Sequence, residues 1–427
     1  MSDSSSSPRA PRLLLGPGIL LAATSIGGSH LLLASRAGAE HGFALLWVIV
    51  LAHALKYFAF EAGPRVALAT GRSLLHAYAA VPPPRWAPRA QGWALWLGLI
   101  DMTLEAIGVI AAVLALTAAI AATAFPILGV GTWALLLVAL ILVLLRTGGY
   151  RYLRGISLWM MILLLAGTLA AFAAALPSPV RAASGLVPSL PQGSGIVATA
   201  LLGWMPTAIG VSVWHSVWCL GDRRFWSSEL TPAQRLRLGL RDARIGLLLS
   251  LVIGACFVCL GAALLHPTSL PEEGLALVER LGDLYTSELG AWMRPVFLVL
   301  AFFAMFSTAY ASMDGFPVTF LSGLAILRGD ELGTFPQRQR LYWIYLVGVS
   351  LAGVGVLLAL PSPKLLFEAL ASLSFVLSPL YAFLNLWCVV RYVPAEARPP
   401  RWQLAAALLC ALALLAGSAF ALASKLF

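Results

Sequence analysis

Charge is what this chain has least of. Of its 427 residues only 11% are Asp, Glu, Lys or Arg and 60% are apolar, where a soluble protein carries about 25% charged residues. So few charges cannot cover a water-facing surface, which excludes soluble-enzyme and nucleic-acid-binding readings. Cysteine is scarce too. The five cysteines lie in or beside apolar stretches, and the one Cys-x-x-Cys spacing, Cys256 to Cys259, has no second pair. Buried thiols are expected there, not zinc or redox chemistry. No cleavable signal is visible, and Met1 to Arg12 reads as a polar, Ser-rich disordered tail. No paired His/Glu motif or Ser/His/Asp set falls at mid-depth, so neither an enzyme nor a cofactor is expected.

What the sequence has is long apolar runs. Leu95–Ala122 contains only Asp101 and Glu105 as charged residues, and a hydrocarbon core needs about 20 residues per helix. Runs bounded by Pro, Gly and charge predict an all-α polytopic membrane protein with eleven spans. These are 13–38, 43–64, 92–121, 127–145, 150–176, 195–219, 238–264, 290–326, 341–360, 365–390 and 402–424. Twenty-one of the 28 Lys and Arg residues fall in the loops on the side of the N-terminus and six on the other. The positive-inside rule then puts the N-terminus in the cytoplasm and the C-terminus outside; a bacterial inner (plasma) membrane is the expected location, on the family resemblance given below. The +10 balance follows from topology and requires no anionic partner.

Two spans carry helix-breaking interruptions. Span 1 contains Thr24-Ser25-Ile26-Gly27-Gly28-Ser29-His30, and span 6 contains Gly203-Trp204-Met205-Pro206-Thr207. Glycine disfavours helix, while proline removes an N–H and clashes one turn back. Spans 1 and 6 are corresponding members of two five-helix halves, and paired interruptions of that kind point to an inverted-repeat transporter with its site at mid-membrane. The expected organisation is a tail at 1–12, a first repeat at 13–176, an outer loop at 177–194, a second repeat at 195–391, and a loop with the terminal helix at 392–427. The expected substrate site comprises Thr24, Ser25, Gly27, Gly28, Ser29, His30, Met205, Pro206 and Thr207.

Ionisable groups inside a membrane are costly and need a reason to be there. Asp101 and Glu105 share one face of span 3, which fits a proton relay or gate, or structural partners for a basic residue. His215 is a further candidate for the proton pathway, because imidazole titrates near neutral pH. Lys56 and Glu61 on span 2 read as a structural ion pair or a snorkelling pair.

Gly16-Pro17-Gly18, Ala37-Gly38-Ala39, Gly42, Leu45-Leu46-Trp47 and Ala69-Thr70-Gly71 look like the start of the Nramp metal-ion transporters. Glu105-Ala106-Ile107-Gly108, Met205-Pro206, His215-Ser216 and Ser307-Thr308 are similar to later motifs of that family. The resemblance implies a LeuT-type fold, helices 1 and 6 broken at mid-membrane, and proton-linked metal uptake by a secondary active transporter. The family holds its metal with Asp-Pro-Gly-Asn in span 1 and the Met of Met-Pro-His in span 6. This chain has Gly27-Gly28-Ser29-His30 and Met205-Pro206-Thr207 in their places. With the carboxylate gone, a bare divalent ion lacks a charge-neutralising ligand. The expectation is therefore a metal arriving with its own ligands, such as ferric citrate, contacted by His30 and a half-helix N-terminus. On that reading Gly27→Asp abolishes chelate binding. A divalent cation at a modified site, or an organic anion or amino acid, remains the alternative.

Overall fold

The computed structural model describes residues 15–175, 177–330, 339–360 and 362–424. The expected tail at 1–12 lies outside the described residues. Among the described residues fifteen α-helices follow one another: α1 (Pro17–Ser25), α2 (Ser35–His41), α3 (Leu46–Thr70), α4 (Leu74–Ala79), α5 (Trp93–Ala124), α6 (Val130–Ala175), α7 (Pro179–Ser184) and α8 (Gly195–Trp204). Then come α9 (Val211–Gly221), α10 (Pro232–Leu264), α11 (Gly274–Leu289), α12 (Met293–Arg328), α13 (Arg340–Ala359), α14 (Pro363–Tyr392) and α15 (Arg401–Ala423). Among the described residues nine helical stretches are long and apolar enough to cross a membrane, and α1 with its continuation into α2, bent by 46°, makes a tenth. The short α8 and α9 occupy the expected sixth span.

Two expectations change in detail. Spans 4 and 5 both fall within α6, whose helical backbone continues through 146–150. The segment after α10, expected to be an outside loop, forms the amphipathic α11, with Leu277, Val278 and Leu281 buried.

The apolar residues sort by depth in the bundle. α5 is buried along most of its apolar stretch, whereas α15 exposes Leu409, Leu415, Phe420 and Leu422. An exposed apolar face is what lipid contact requires, because lipid tails are as apolar as leucine. Small residues bring the central helices close. Gly38 of α2 abuts the α10 backbone at Val258 and Ala262, and Gly18 of α1 abuts Asp242 of α10. The result is a bundle with α1, α5, α8, α9, α12 and α14 around its middle.

Candidate functional site

The first break follows from local hydrogen bonding. Thr24 and Ser25 turn their hydroxyls back to Leu21 O (2.8 and 2.6 Å). After Ser25 the chain passes through Ile26-Gly27-Gly28 and resumes as a π-helical turn, Ser29–Ala34. Thr308 of α12 donates Oγ1 to Ala23 O (3.0 Å), a carbonyl at the end of α1. Both glycines are needed for contact: a side chain on Gly27 would meet Thr308, and one on Gly28 would meet the Phe367 ring.

The second break lies between α8 and α9. The Met205–Pro206 peptide is cis, and proline offers no N–H. Two carbonyls lose their helical partners and are taken by a lysine. Lys56 of α3, fully buried, donates Nζ to Gly203 O (2.5 Å) and Thr207 O (3.1 Å). The expected Lys56–Glu61 pair does not form. Glu61 is held instead by Arg65, by Tyr57 Oη (2.6 Å) and by Arg244 (3.2 Å), because Arg65 lies one turn along α3 on the side of Glu61 away from Lys56.

Between the two breaks is a cavity of about 40 Å³. Thr24, Ser25, Gly28 and Ser29 line it from the first break, and Trp204, Thr207, Ala208, Val211 and Trp214 from the second. α5 contributes Glu105, Val109 and Val113; α12 contributes Thr308, Ser312 and Phe316; α14 contributes Phe367. Glu105 is the one carboxylate of this wall, and no basic side chain belongs to it. Its Oε1 accepts from Ser374 Oγ (2.8 Å), which in turn accepts from Trp204 Nε1 (3.0 Å). The hydroxyls of the wall and the carboxylate are hard oxygen donors, suited to Mg²⁺ or Mn²⁺ more than to soft metals. Among the described residues no cluster of three His, Cys, Asp or Glu exists.

Six of the nine expected substrate residues line this cavity or belong to its immediate frame. Thr24, Ser25, Gly28, Ser29 and Thr207 are in the wall, and Gly27 packs behind it on Thr308. Met205 is fully buried and, with Pro206, stays outside the wall. His30 also departs from the expectation. Its ring faces α10, with Nδ1 on Ser29 Oγ (2.9 Å) and Nε2 on Ser250 O and Oγ (both 3.0 Å). The π-helical turn rotates it off the cavity side, and His53 of α3 joins the same Ser250 hydroxyl (3.1 Å). Among the proposed proton-pathway residues, Glu105 is in the wall. Asp101 lies one turn away, hydrogen-bonded to Tyr381 Oη. His215 is buried on α9 outside the wall, with no hydrogen-bond partner among the described residues.

Polar ties lie at both ends of α1–α2. Arg36 on α2 holds Glu40 (2.7 Å) and Glu368 of α14. At the start of α1, Asp242 of α10 accepts from Gly16 N (3.1 Å) and Gly18 N (2.6 Å), and Arg224 donates to Leu15 O (2.7 Å). A carboxylate at free helix N–H groups is a favourable cap. The cavity sits between these ties.

Sequence reasoning missed Lys56 as a partner of the second break, and it missed Trp204, Phe367 and Ser374. A lysine mid-way along an apolar run signals a buried acceptor, but nothing in the sequence identifies carbonyls of span 6.

A family model described as natural resistance-associated macrophage protein-like (Nramp) matches residues 18–424. This chain belongs to the Nramp-like family. It is 30% identical over 390 residues to an uncharacterized protein of Pasteurella multocida, covering 88% of this chain and 85% of that one. It is 24% identical over 312 residues to the divalent metal cation transporter MntH of Mesorhizobium japonicum, covering 70% and 65%. The manganese transporter of Eremococcus coleocola superposes with a TM-score of 0.73 at 16% identity, over 96% of this chain and 86% of that one. Mhp1, a nucleobase-cation-symport-1 family transporter, superposes at 0.58 and 17% identity, over 100% and 97%. At such identities the likeness concerns the fold, and it is the LeuT-type fold implied by the sequence motifs.

Proposed function

We propose that this Nramp-like protein is a secondary active transporter that carries a metal through the cavity between its two breaks, as a cation whose charge Glu105 balances. The carrying observation is Glu105 itself: a buried carboxylate in an oxygen-rich wall that holds no basic side chain. A cation at mid-membrane needs such a counter-charge, and an anion would find no basic side chain in the wall itself to balance it. Kinship to a divalent metal cation transporter supports the same cargo class. The carboxylate missing from the span 1 motif is thus supplied from α5. The distribution of basic residues supports a cytoplasmic N-terminus, and kinship to a bacterial divalent metal cation transporter supports a bacterial inner membrane as the location. Proton coupling through Asp101 and Glu105 belongs to the same proposal.

The chelate reading keeps one observation in its favour, the absence of any acidic residue at Gly27–His30. Against it stand the turned-away His30, the carboxylate of the wall, and the lack of any basic side chain in that wall to receive an anionic chelate. Calorimetric titration of purified protein with Mn²⁺ tests the assignment. Glu105→Gln is expected to weaken binding by about 2 kcal/mol or more, ~30-fold, as for loss of one member of a buried charge pair. Unchanged affinity would remove Glu105 from the site.

A further inference from the structure

Lys56 occupies a place where a cation would otherwise fit. α8 ends at Trp204 and α9 begins at Val211. In a continuous helix Gly203 O would accept from residue 207 and Thr207 O from residue 211. Val211 N instead bonds Ala208 O (3.1 Å), and both free carbonyls converge on the Lys56 ammonium. Thr207 is itself in the cavity wall, and Glu105 reaches the same break: its Oε2 lies 3.8 Å from where a Cβ on Gly210 would stand, and Lys56 interacts with it electrostatically. The wall's one negative charge is therefore matched by one positive charge fixed just behind it.

We propose that Lys56 is a tethered counter-charge that limits how much positive charge the cavity accepts, and so acts as a specificity-determining residue for the cargo. This rests on the reading that the cavity carries a metal. With Glu105 and Lys56 both charged, the site is formally neutral before cargo arrives. A divalent ion is then held less tightly than by an unopposed carboxylate, which favours release and disfavours more highly charged ions. A lysine that merely plugged the break would have the opposite signature: its removal would loosen the break and weaken binding.

The test is Mn²⁺ titration of purified full-length wild type, Lys56→Met, Lys56→Gln and Lys56→Arg, with monodispersity and thermal melting recorded for each. Lys56→Met should tighten Mn²⁺ binding by at least about tenfold, because Coulomb repulsion between a nearby ammonium and a divalent ion is removed. Lys56→Gln, whose amide still reaches a carbonyl, should shift in the same direction, while Lys56→Arg stays near wild type. Unchanged or weaker binding in folded Met and Gln variants overturns the charge limit alone, leaving the metal cargo standing. Binding absent from wild type but present in Lys56→Met supports the limit; absence from both overturns it together with the cation reading. If neither neutral variant is monodisperse, the double variant Lys56→Met/Glu105→Gln decides. Its folding supports a charge pair, since neither charge is then left buried alone, and its failure to fold overturns the proposal in favour of a purely structural lysine.

Discussion

A histidine in a membrane span invites a functional reading, and His30 shows what decides it. Both ring nitrogens are spoken for, by Ser29 on one side and Ser250 on the other. The ring thereby ties the first break to α10, and that tie is worth what buried hydrogen bonds are worth. His30→Gln should lower stability by about 1–3 kcal/mol, seen as a reduced melting temperature in detergent, with Mn²⁺ affinity near wild type. A large loss of affinity without loss of stability would return His30 to the site. Glu105 has the reverse profile, because its carboxylate faces the cavity while Ser374 steadies it from behind. The residue types that carry charge inside the membrane were legible from the sequence, since their cost demands a reason. Their partners were not. Glu61 and Lys56 lie on one helix near each other in sequence, yet their partners are arginines in one case and carbonyls of α8–α9 in the other.

At the scale of elements, the two broken helices are the part of the fold most plainly written in the sequence. Gly27-Gly28 and Pro206 each interrupt an apolar run, and the structure breaks both helices there. What the run of residues could not give is why glycine is required. Gly27 accommodates Thr308, whose hydroxyl serves the Ala23 carbonyl, and Gly28 accommodates Phe367. Restoring an acidic residue is therefore not a simple gain of a ligand. Gly27→Asp would push its Cβ against Thr308 Cβ and Cγ2 (2.8 and 2.9 Å), and overpacking of this kind costs about 1–3 kcal/mol. The expected result is a destabilised protein with no tighter Mn²⁺ binding, partly rescued in stability by Thr308→Ala. A stable Gly27→Asp variant with enhanced binding would contradict the packing argument. The expectation that this change acts purely by charge overlooked the neighbour on α12, which lies about 280 residues away in sequence and leaves no local signal. The boundary between spans 4 and 5 fails for a related reason: Thr147-Gly148-Gly149 suggests a stop, but local propensity is a weak prior against a helix that continues.

At the scale of the whole molecule, the ties at the two ends of α1–α2 give the cavity its setting. Arg36 joins α2 to α14, and Asp242 joins α1 to α10, so the broken helix is fastened on both sides of its break. On the proposed reading, exchange of the cargo releases one set of ties while keeping the other, and the proposed balance between Glu105 and Lys56 keeps the cargo from being held too firmly for that exchange. The central claim is that the cargo crosses as a cation. Uptake into proteoliposomes made from the purified protein tests it most directly, comparing Mn²⁺ with ferric citrate, each followed as metal and the latter also as citrate. The account predicts Mn²⁺ accumulation that falls at least tenfold in Glu105→Gln, as loss of ~1.4 kcal/mol or more at the site requires, and no entry of citrate. Accumulation of iron and citrate together, undiminished in Glu105→Gln, would contradict it.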